Sequence, residues 1–235
     1  MPEDKDTKPE TAGGAEPRYF GRRKGRGMTQ RKTALLADLL PSLRLDMSRP
    51  CPDDVIALFP VAVSDVWLEI GFGGGEHLTA QAERNPGIGF IGAEPFVTGV
   101  AKLVSQITSQ GLANVRVHDE DVRPLLAWLP AASLSRVFVL FPDPWPKRRH
   151  EERRIISEAT VADLARVLKP GGTLRLATDI ADYASRAVRL ILASGSFAAL
   201  ARDTSQPPAD WVPTRYEAKA RLAGRRCQYF DFVRI

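Results

Sequence analysis

The sequence predicts an α/β protein built on a doubly wound, mostly parallel, seven-stranded sheet. Three observations carry that expectation. Short apolar runs alternate with stretches of helical period from Val66 onward, which is the pattern of strands joined by crossover helices. The runs are continuously apolar, as strands buried on both faces require. The stretches between them reach roughly 10–18 residues, enough to cross back over a sheet.

The elements are expected in the following order. Residues 1–16 are polar and acid-leaning, without a core-forming pattern, and read as a disordered tail. Between Pro17 and Ala37 stand seven basic residues (Arg18, Arg22, Arg23, Lys24, Arg26, Arg31 and Lys32) and no acidic one. Residues 1–32 are therefore expected to form a flexible tail with a basic arm, ahead of one domain over 33–235. A short helix is predicted over Thr33–Leu43, and Val55–Phe59 is apolar but of uncertain type. Val66–Ile70 is the first strand and runs into the glycine-rich loop Gly71–Gly75, after which Glu76–Arg84 has helical period. Gly89–Ala93 and Asn114–His118 are the next strands, separated by a helix over Val97–Gln110. A helix around Leu125–Trp128 and a strand over Arg136–Phe141 follow. Glu151–Leu168 reads as one long helix ended by the Pro170-Gly171 break, with a fifth strand over Thr173–Ala177. A helix over Tyr183–Ala193 and candidate last strands at Phe197–Leu200 and Cys227–Val233 complete the chain.

The bulk properties exclude several classes. The chain has 235 residues, enough for one domain with a full core, and a net charge of +5. No apolar run approaches the ~20 residues a membrane span needs, and the N-terminus MPEDKDTKPE lacks the apolar region of a secretory signal. Cys51 and Cys227 are far apart, and His77, His118 and His150 are scattered. Neither a disulfide framework nor a metal site is expected, and the cysteine usage fits a cytoplasmic protein. The basic arm and a second cluster, Lys147–Arg154, have Tyr19, Phe20 and Trp145 nearby, a composition that suits nucleic acid.

In doubly wound sheets ligands sit beyond the carboxyl ends of the strands, so the residues after each strand are the candidates. The first loop, with Gly71 and Gly73, lets a ligand approach the backbone closely. It is flanked by Glu69 and Glu76 and has the spacing GxGGG rather than the dinucleotide GxGxxG. Carboxylates there would repel a pyrophosphate but would welcome the sulfonium and ammonium of S-adenosyl-L-methionine. Glu94 follows the second strand at the distance from the loop where an acid accepts hydrogen bonds from ribose hydroxyls; a helix-dipole role is the alternative. Of Asp119, Glu120 and Asp121 after the third strand, Asp121 is the choice for the adenine amino group, although a helix cap explains it nearly as well. After the fourth strand, Phe-Pro-Asp143-Pro-Trp145-Pro-Lys147 sets an acid and an aromatic in a frame stiffened by three prolines. Trp145 could stack on a base, and Asp143 could bind its edge.

At this point the sequence resembles one family, the bacterial tRNA (guanine-N7)-methyltransferases. The resemblance rests on WLEIGFGGGEHL, GFIGAEP, FPDPWPKRRHEERR, LKPGGTLRLATD and PTRYEAKARLAG, and runs from the basic arm to the C-terminus. It implies a Rossmann-like, S-adenosyl-L-methionine-dependent methyltransferase fold and methylation of N7 of guanine 46 in the tRNA variable loop. It implies cofactor contacts at Glu69, Glu94, Asp121 and Asp143, with Asp143 also catalytic. It implies substrate contacts at Lys147, Asp179, Thr214, Arg215, Tyr216 and Glu217, and RNA contacts at Arg149, His150, Arg153 and Arg154. Glu151 and Glu152 depart from the family, which often carries basic residues there. tRNA is the expected partner, with no membrane, no metal, and a monomer or weak homodimer. The competing classes are a small-molecule methyltransferase, a non-catalytic RNA-binding scaffold and, least favoured, a nicotinamide dehydrogenase.

Overall fold

A computed structural model describes residues 28–235; the acid-leaning tail and most of the basic arm lie outside the described residues. Helix α1 (Gln30–Leu43) and a 3-10 turn (Val55–Leu58) precede strand β1 (Asp65–Ile70). Then come α2 (Glu76–Arg84), β2 (Ile88–Ala93), α3 (Val97–Gln110), β3 (Val115–His118), α4 (Val122–Trp128) and β4 (Leu134–Leu140). A second 3-10 turn (Arg148–Arg153) leads to α5 (Glu158–Val167), β5 (Leu168–Thr178), α6 (Ala181–Ala193), β6 (Phe197–Ala199), α7 (Arg215–Leu222) and β7 (Gln228–Arg234). The seven strands form one sheet in the order β3-β2-β1-β4-β5-β7-β6. β1 to β5 pair in parallel, and β7 runs antiparallel between β5 and β6. The expected doubly wound α/β architecture is the one observed.

The alternation of side chains along β1 divides the core between the two faces. Val66, Leu68 and Ile70 pack on one face with Leu125 of α4, Leu164 of α5 and Ile191 of α6. Trp67 packs on the other, with Leu78 of α2 and with Leu103 and Val104 of α3. Helix α1 covers that second layer through Leu36, Leu39 and Leu40. Near β7 the same face continues with Phe138, Tyr229 and Ala220 of α7. Both cysteines are unpaired. Burial pushes the Cys51 thiol up to about 11 and Cys227 upward too, so both remain protonated packing groups at neutral pH.

Two local expectations need correction, and one helix has no counterpart in the sequence reading. The predicted long helix from Glu151 does not form; Ser157 caps a helix that starts at Glu158, its side chain accepting from the Thr160 amide at 3.2 Å. The Pro170-Gly171 break falls inside a strand, because β5 begins at Leu168 and its pairing with β4 shifts register between Leu134 and Arg136, leaving the break in the irregularity. The segment around Arg215 forms helix α7, whose apolar pattern is too sparse to be seen in sequence: only Glu217 and Ala220 are buried.

A charge network fixes the segment before α7 against the sheet. Arg136 of β4 donates to Asp210 at 2.8 Å, and Arg175 of β5, nearly fully buried, donates to Asp210 at 2.9 Å and to Asp231 of β7 at 2.6 Å. Arg202 adds a third cation, 3.0 Å from Asp231. The chain is thereby held so that α7 begins beside the carboxyl ends of the parallel strands. Among the described residues, no helix is long and apolar enough to cross a membrane, and no cluster of His, Cys, Asp and Glu could hold a metal ion.

Candidate functional site

The carboxyl ends of β1, β2, β3 and β4 and the start of α7 enclose a cleft of about 370 Å³. Its floor is the loop after β1. Gly71, Gly73 and Gly75 all take left-handed φ values (+73°, +57° and +83°). Gly73 has a second constraint, because a Cβ there would stand 3.0 Å from the Tyr216 ring, which lies over the loop. Gly99 on α3, not singled out in the sequence, is tighter still: a Cβ would meet the Gly73 carbonyl oxygen at 2.1 Å. The helix can therefore approach the loop only through a glycine.

Glu94 joins two of these elements. Its carboxylate accepts from the Gly73 amide and from the Phe96 amide, each at 2.9 Å, tying the β1 loop to the start of α3. Burial pushes its carboxyl above the ordinary value; the two amides oppose that rise and the charges of Asp143 and Glu69 add to it. Glu69 is buried behind the loop and does not line the cleft. It lies 2.7 Å from His77 Nδ1, and the Gln81 amide stands 3.4 Å from His77 Nε2. An amide nitrogen can only donate, so Nε2 accepts, and Nδ1 carries the proton and donates to Glu69.

The acidic run after β3 separates into three environments. Asp119 accepts two hydrogen bonds from Arg44, at 2.7 and 2.6 Å. Glu120 is exposed and lies outside the cleft. Asp121 lines the cleft and also caps α4, accepting from the Arg123 amide at 2.9 Å and its guanidinium at 2.8 Å. The cap and the cleft-facing position thus coexist at one residue.

The loop after β4 brings Phe141, Pro142, Asp143 and Trp145 to the opposite wall. Phe141 and Trp145 have positive φ, 50° and 40°, a conformation that bulky residues adopt at a cost. Trp145 is cradled by the 3-10 turn that follows: the Arg153 guanidinium lies 5.1 Å from its ring centre and the His150 ring meets it edge-on at 5.7 Å. Arg153 lines the cleft, whereas Lys147 and Arg149 are exposed outside it. Arg154 is turned inward onto the carbonyls of Pro144 and Trp145. Glu151 lies 3.7 Å from Arg186, so one of the two departures from the family pattern faces α6.

Helix α7 closes the cleft. Thr214 caps it, accepting from the Glu217 amide at 3.0 Å, and Arg215 and Tyr216 line the cleft. Glu217 points the other way, into the protein. It accepts from Trp211 Nε1 and the Tyr229 hydroxyl, both at 2.6 Å, and from Arg221 at 2.8 Å. Burial alone would push Glu217 up, but these donors outweigh it and hold the carboxyl below its ordinary value. Asp179, just beyond β5, is paired with Arg225 and lies outside the cleft. The structure therefore brings Gly71, Gly73, Glu94, Asp121, Asp143, Arg153, Arg215 and Tyr216 to one cleft. It leaves Glu69, Lys147, Arg149, His150, Arg154, Asp179, Thr214 and Glu217 around it. Sequence reasoning missed His77, Gly99 and the charge network, since their partners are brought in by the sheet rather than by local spacing.

The acids of the lining suit the sulfonium and ammonium of S-adenosyl-L-methionine. Glu76, Glu94, Asp121 and Asp143 all reach the cleft, and no Cβ blocks it at Gly71, where an added carbon would meet nothing within 4 Å. Arg123, whose side chain also lines the cleft, is held by Asp121 at 2.8 Å.

Residues 64–229 match the model of a family described as a putative methyltransferase. A tRNA (guanine-N(7)-)-methyltransferase of Caulobacter sp. (strain K31) is 50% identical over 93% of this chain and 95% of its own. The chain belongs to the tRNA (guanine-N7)-methyltransferase family. A second member, from Rhodopseudomonas palustris (strain BisA53), is 48% identical over 92% of this chain and 88% of its own. Among solved structures, the aminoglycoside resistance methyltransferase NpmB1 superposes with a TM-score of 0.52 over 77% of this chain and 92% of that one; at 15% identity the likeness is one of fold. Family membership agrees with a glycine-floored cleft at the strand ends that Glu94, Asp121 and Asp143 line.

Proposed function

We propose that this chain methylates N7 of the guanine at position 46, in the variable loop of tRNA. The coarser activity follows from its family: it is a tRNA (guanine-N7)-methyltransferase, and S-adenosyl-L-methionine is its methyl donor. The observation that most supports a base-directed reaction is the position of Asp143. It is exposed, stands on a proline-stiffened loop, and shares one cleft with Glu94, Asp121 and Tyr216.

When bound, S-adenosyl-L-methionine supplies an electrophilic methyl group on a sulfonium. Guanine N7 has a free lone pair and no proton, so no residue has to act as a base for the transfer. The work of the protein is alignment, which supplies roughly 7–11 kcal/mol in well-oriented reactions. Glu94 would accept hydrogen bonds from the ribose hydroxyls of the bound cofactor, and Asp121 from its adenine amino group. Asp143 accepts from the guanine N1–H or N2 amine and stabilises the positive charge that develops as N7 is alkylated. Arg215 and Tyr216 hold the base and its flanking backbone, while Thr214 and Glu217 hold the helix that carries them. Glu69, fixed by His77, supports the glycine loop from behind. Lys147 and Arg149 meet phosphates at the mouth. The enzyme works in the cytoplasm, where two cysteines left unpaired suit a reducing compartment, and as a monomer or weak homodimer.

The test is methyl transfer from labelled S-adenosyl-L-methionine to two unmodified tRNA transcripts, one with guanine at position 46 and one with another base there. Product 7-methylguanosine is expected with the first alone. Asp143→Ala should lower kcat by roughly 10²–10³, far more than it weakens cofactor binding. Equal labelling of both transcripts refutes the position, and near-normal turnover by Asp143→Ala refutes its role.

A further inference from the structure

The basic segment Lys147–Arg154 reads in sequence as a single RNA-contacting run, but its described side chains have different tasks in the fold. Lys147 and Arg149 are exposed. Arg154 is half-buried, and its guanidinium is directed at the loop that carries Asp143. Nε donates to the Pro144 carbonyl at 2.9 Å and also reaches the Trp145 carbonyl at 3.3 Å, and Nη2 donates to the Trp145 carbonyl at 3.0 Å.

The loop needs such a partner for a reason written in its composition. Pro142, Pro144 and Pro146 have no amide hydrogens, so the loop has few donors of its own to offer its carbonyls. Two of its non-glycine residues, Phe141 and Trp145, are held at positive φ, and such conformations persist only where surrounding contacts over-determine them. A guanidinium is a planar fork of donors that can satisfy two adjacent carbonyls at once. A lysine ammonium offers a single point instead. The ring of Trp145 is gripped from the other side by Arg153 and His150, so backbone and side chain are held by one turn.

We propose that Arg154 is a positioning residue of the methyl-transfer reaction, locking the Pro144–Trp145 backbone and hence Asp143, and that it is not an RNA phosphate ligand. The proposal rests on the functional reading above only in treating that loop as the reactive one. Full-length protein labelled with 5-fluorotryptophan provides a readout independent of turnover. Of the four tryptophans, the Trp145 fluorine resonance, assigned with Trp145→Phe, should shift or broaden in Arg154→Met while the other three stay in place. The salt dependence of tRNA binding provides the second. Arg149→Ala should lower the slope of log K against log salt by about one, and Arg154→Met should leave it unchanged. At saturating tRNA, kcat of Arg154→Met should fall by about 10²-fold, the cost of a displacement near 1 Å, and Arg154→Lys should recover part of it. If the methionine variant does not fold, Arg154→Gln, which likewise removes the charge, carries the same measurements. An unmoved Trp145 resonance, or a slope reduced by one, overturns the proposal. Failure of the position-46 assignment would appear in the wild-type product analysis and would leave the fluorine result untouched.

Discussion

Glu94 combines a structural and a ligand-directed demand in one side chain. It accepts two backbone amides while burial raises its pKa. An acid with a raised folded pKa is more stable protonated, so its contribution to folding is greatest at low pH and is lost as pH rises through the folded value. Ligand binding has the opposite sign, because the ionised form is the better acceptor for ribose hydroxyls. Affinity for S-adenosyl-L-methionine should therefore weaken as pH falls, beginning at higher pH than an ordinary glutamate would give. Glu94→Gln should weaken binding at neutral pH by roughly 10–100-fold and flatten that acid limb. Calorimetric titrations of both proteins across pH check this; a variant that keeps the wild-type acid limb assigns it to another group.

Helix α7 shows how an element can be placed from beneath. Its exposed first turn presents Arg215 and Tyr216 to the cleft, and its buried Glu217 is gripped by Trp211, Tyr229 and Arg221. Trp211 in turn follows Asp210, the residue held by Arg136 and Arg175. Because these donors depress the Glu217 pKa, its contribution to stability is present above the unfolded pKa of about 4.3 and is lost as pH falls through the folded value. Glu217→Gln should cost about 1–2 kcal/mol at pH 7 and progressively less toward acid. Urea unfolding at a series of pH values measures that difference; a constant gap across the range would mean that the charge on Glu217 is immaterial. The sequence showed that PTRYE matters but could not show which of its side chains face the cleft, since that depends on the donors from β7 and from the segment before α7.

At the scale of the whole molecule, the doubly wound sheet opens a cleft at its carboxyl ends that Arg215 lines, and Lys147 and Arg149 are exposed on the loop and turn that follow β4. The seven cations between Arg18 and Lys32 add a further positively charged segment to the same chain. Deleting residues 1–32 should weaken tRNA binding and flatten its dependence on salt, by close to one unit of slope for each phosphate that the arm neutralises. Filter binding at several salt concentrations tests this, and an unchanged slope would remove the arm from the RNA interface.

The sequence by itself determined what depends on chain-local pattern. The strands from β1 to β4 and the second half of β5 are largely apolar runs, and the turns that end them carry glycine, proline and acids, so the sheet, Glu94 and Asp143 could be read from them, while Asp121 remained one choice among three. Tertiary structure decided the direction of each charged side chain. Asp119 and Asp121 are two residues apart, yet one is claimed by Arg44, just beyond α1, and the other lines the cleft. Arg149 and Arg154 belong to one basic run, yet one is exposed and the other is bonded to the Pro144 and Trp145 carbonyls. A charged side chain goes where a partner or water repays its desolvation, and the partners here are set by how the chain packs once the sheet has formed.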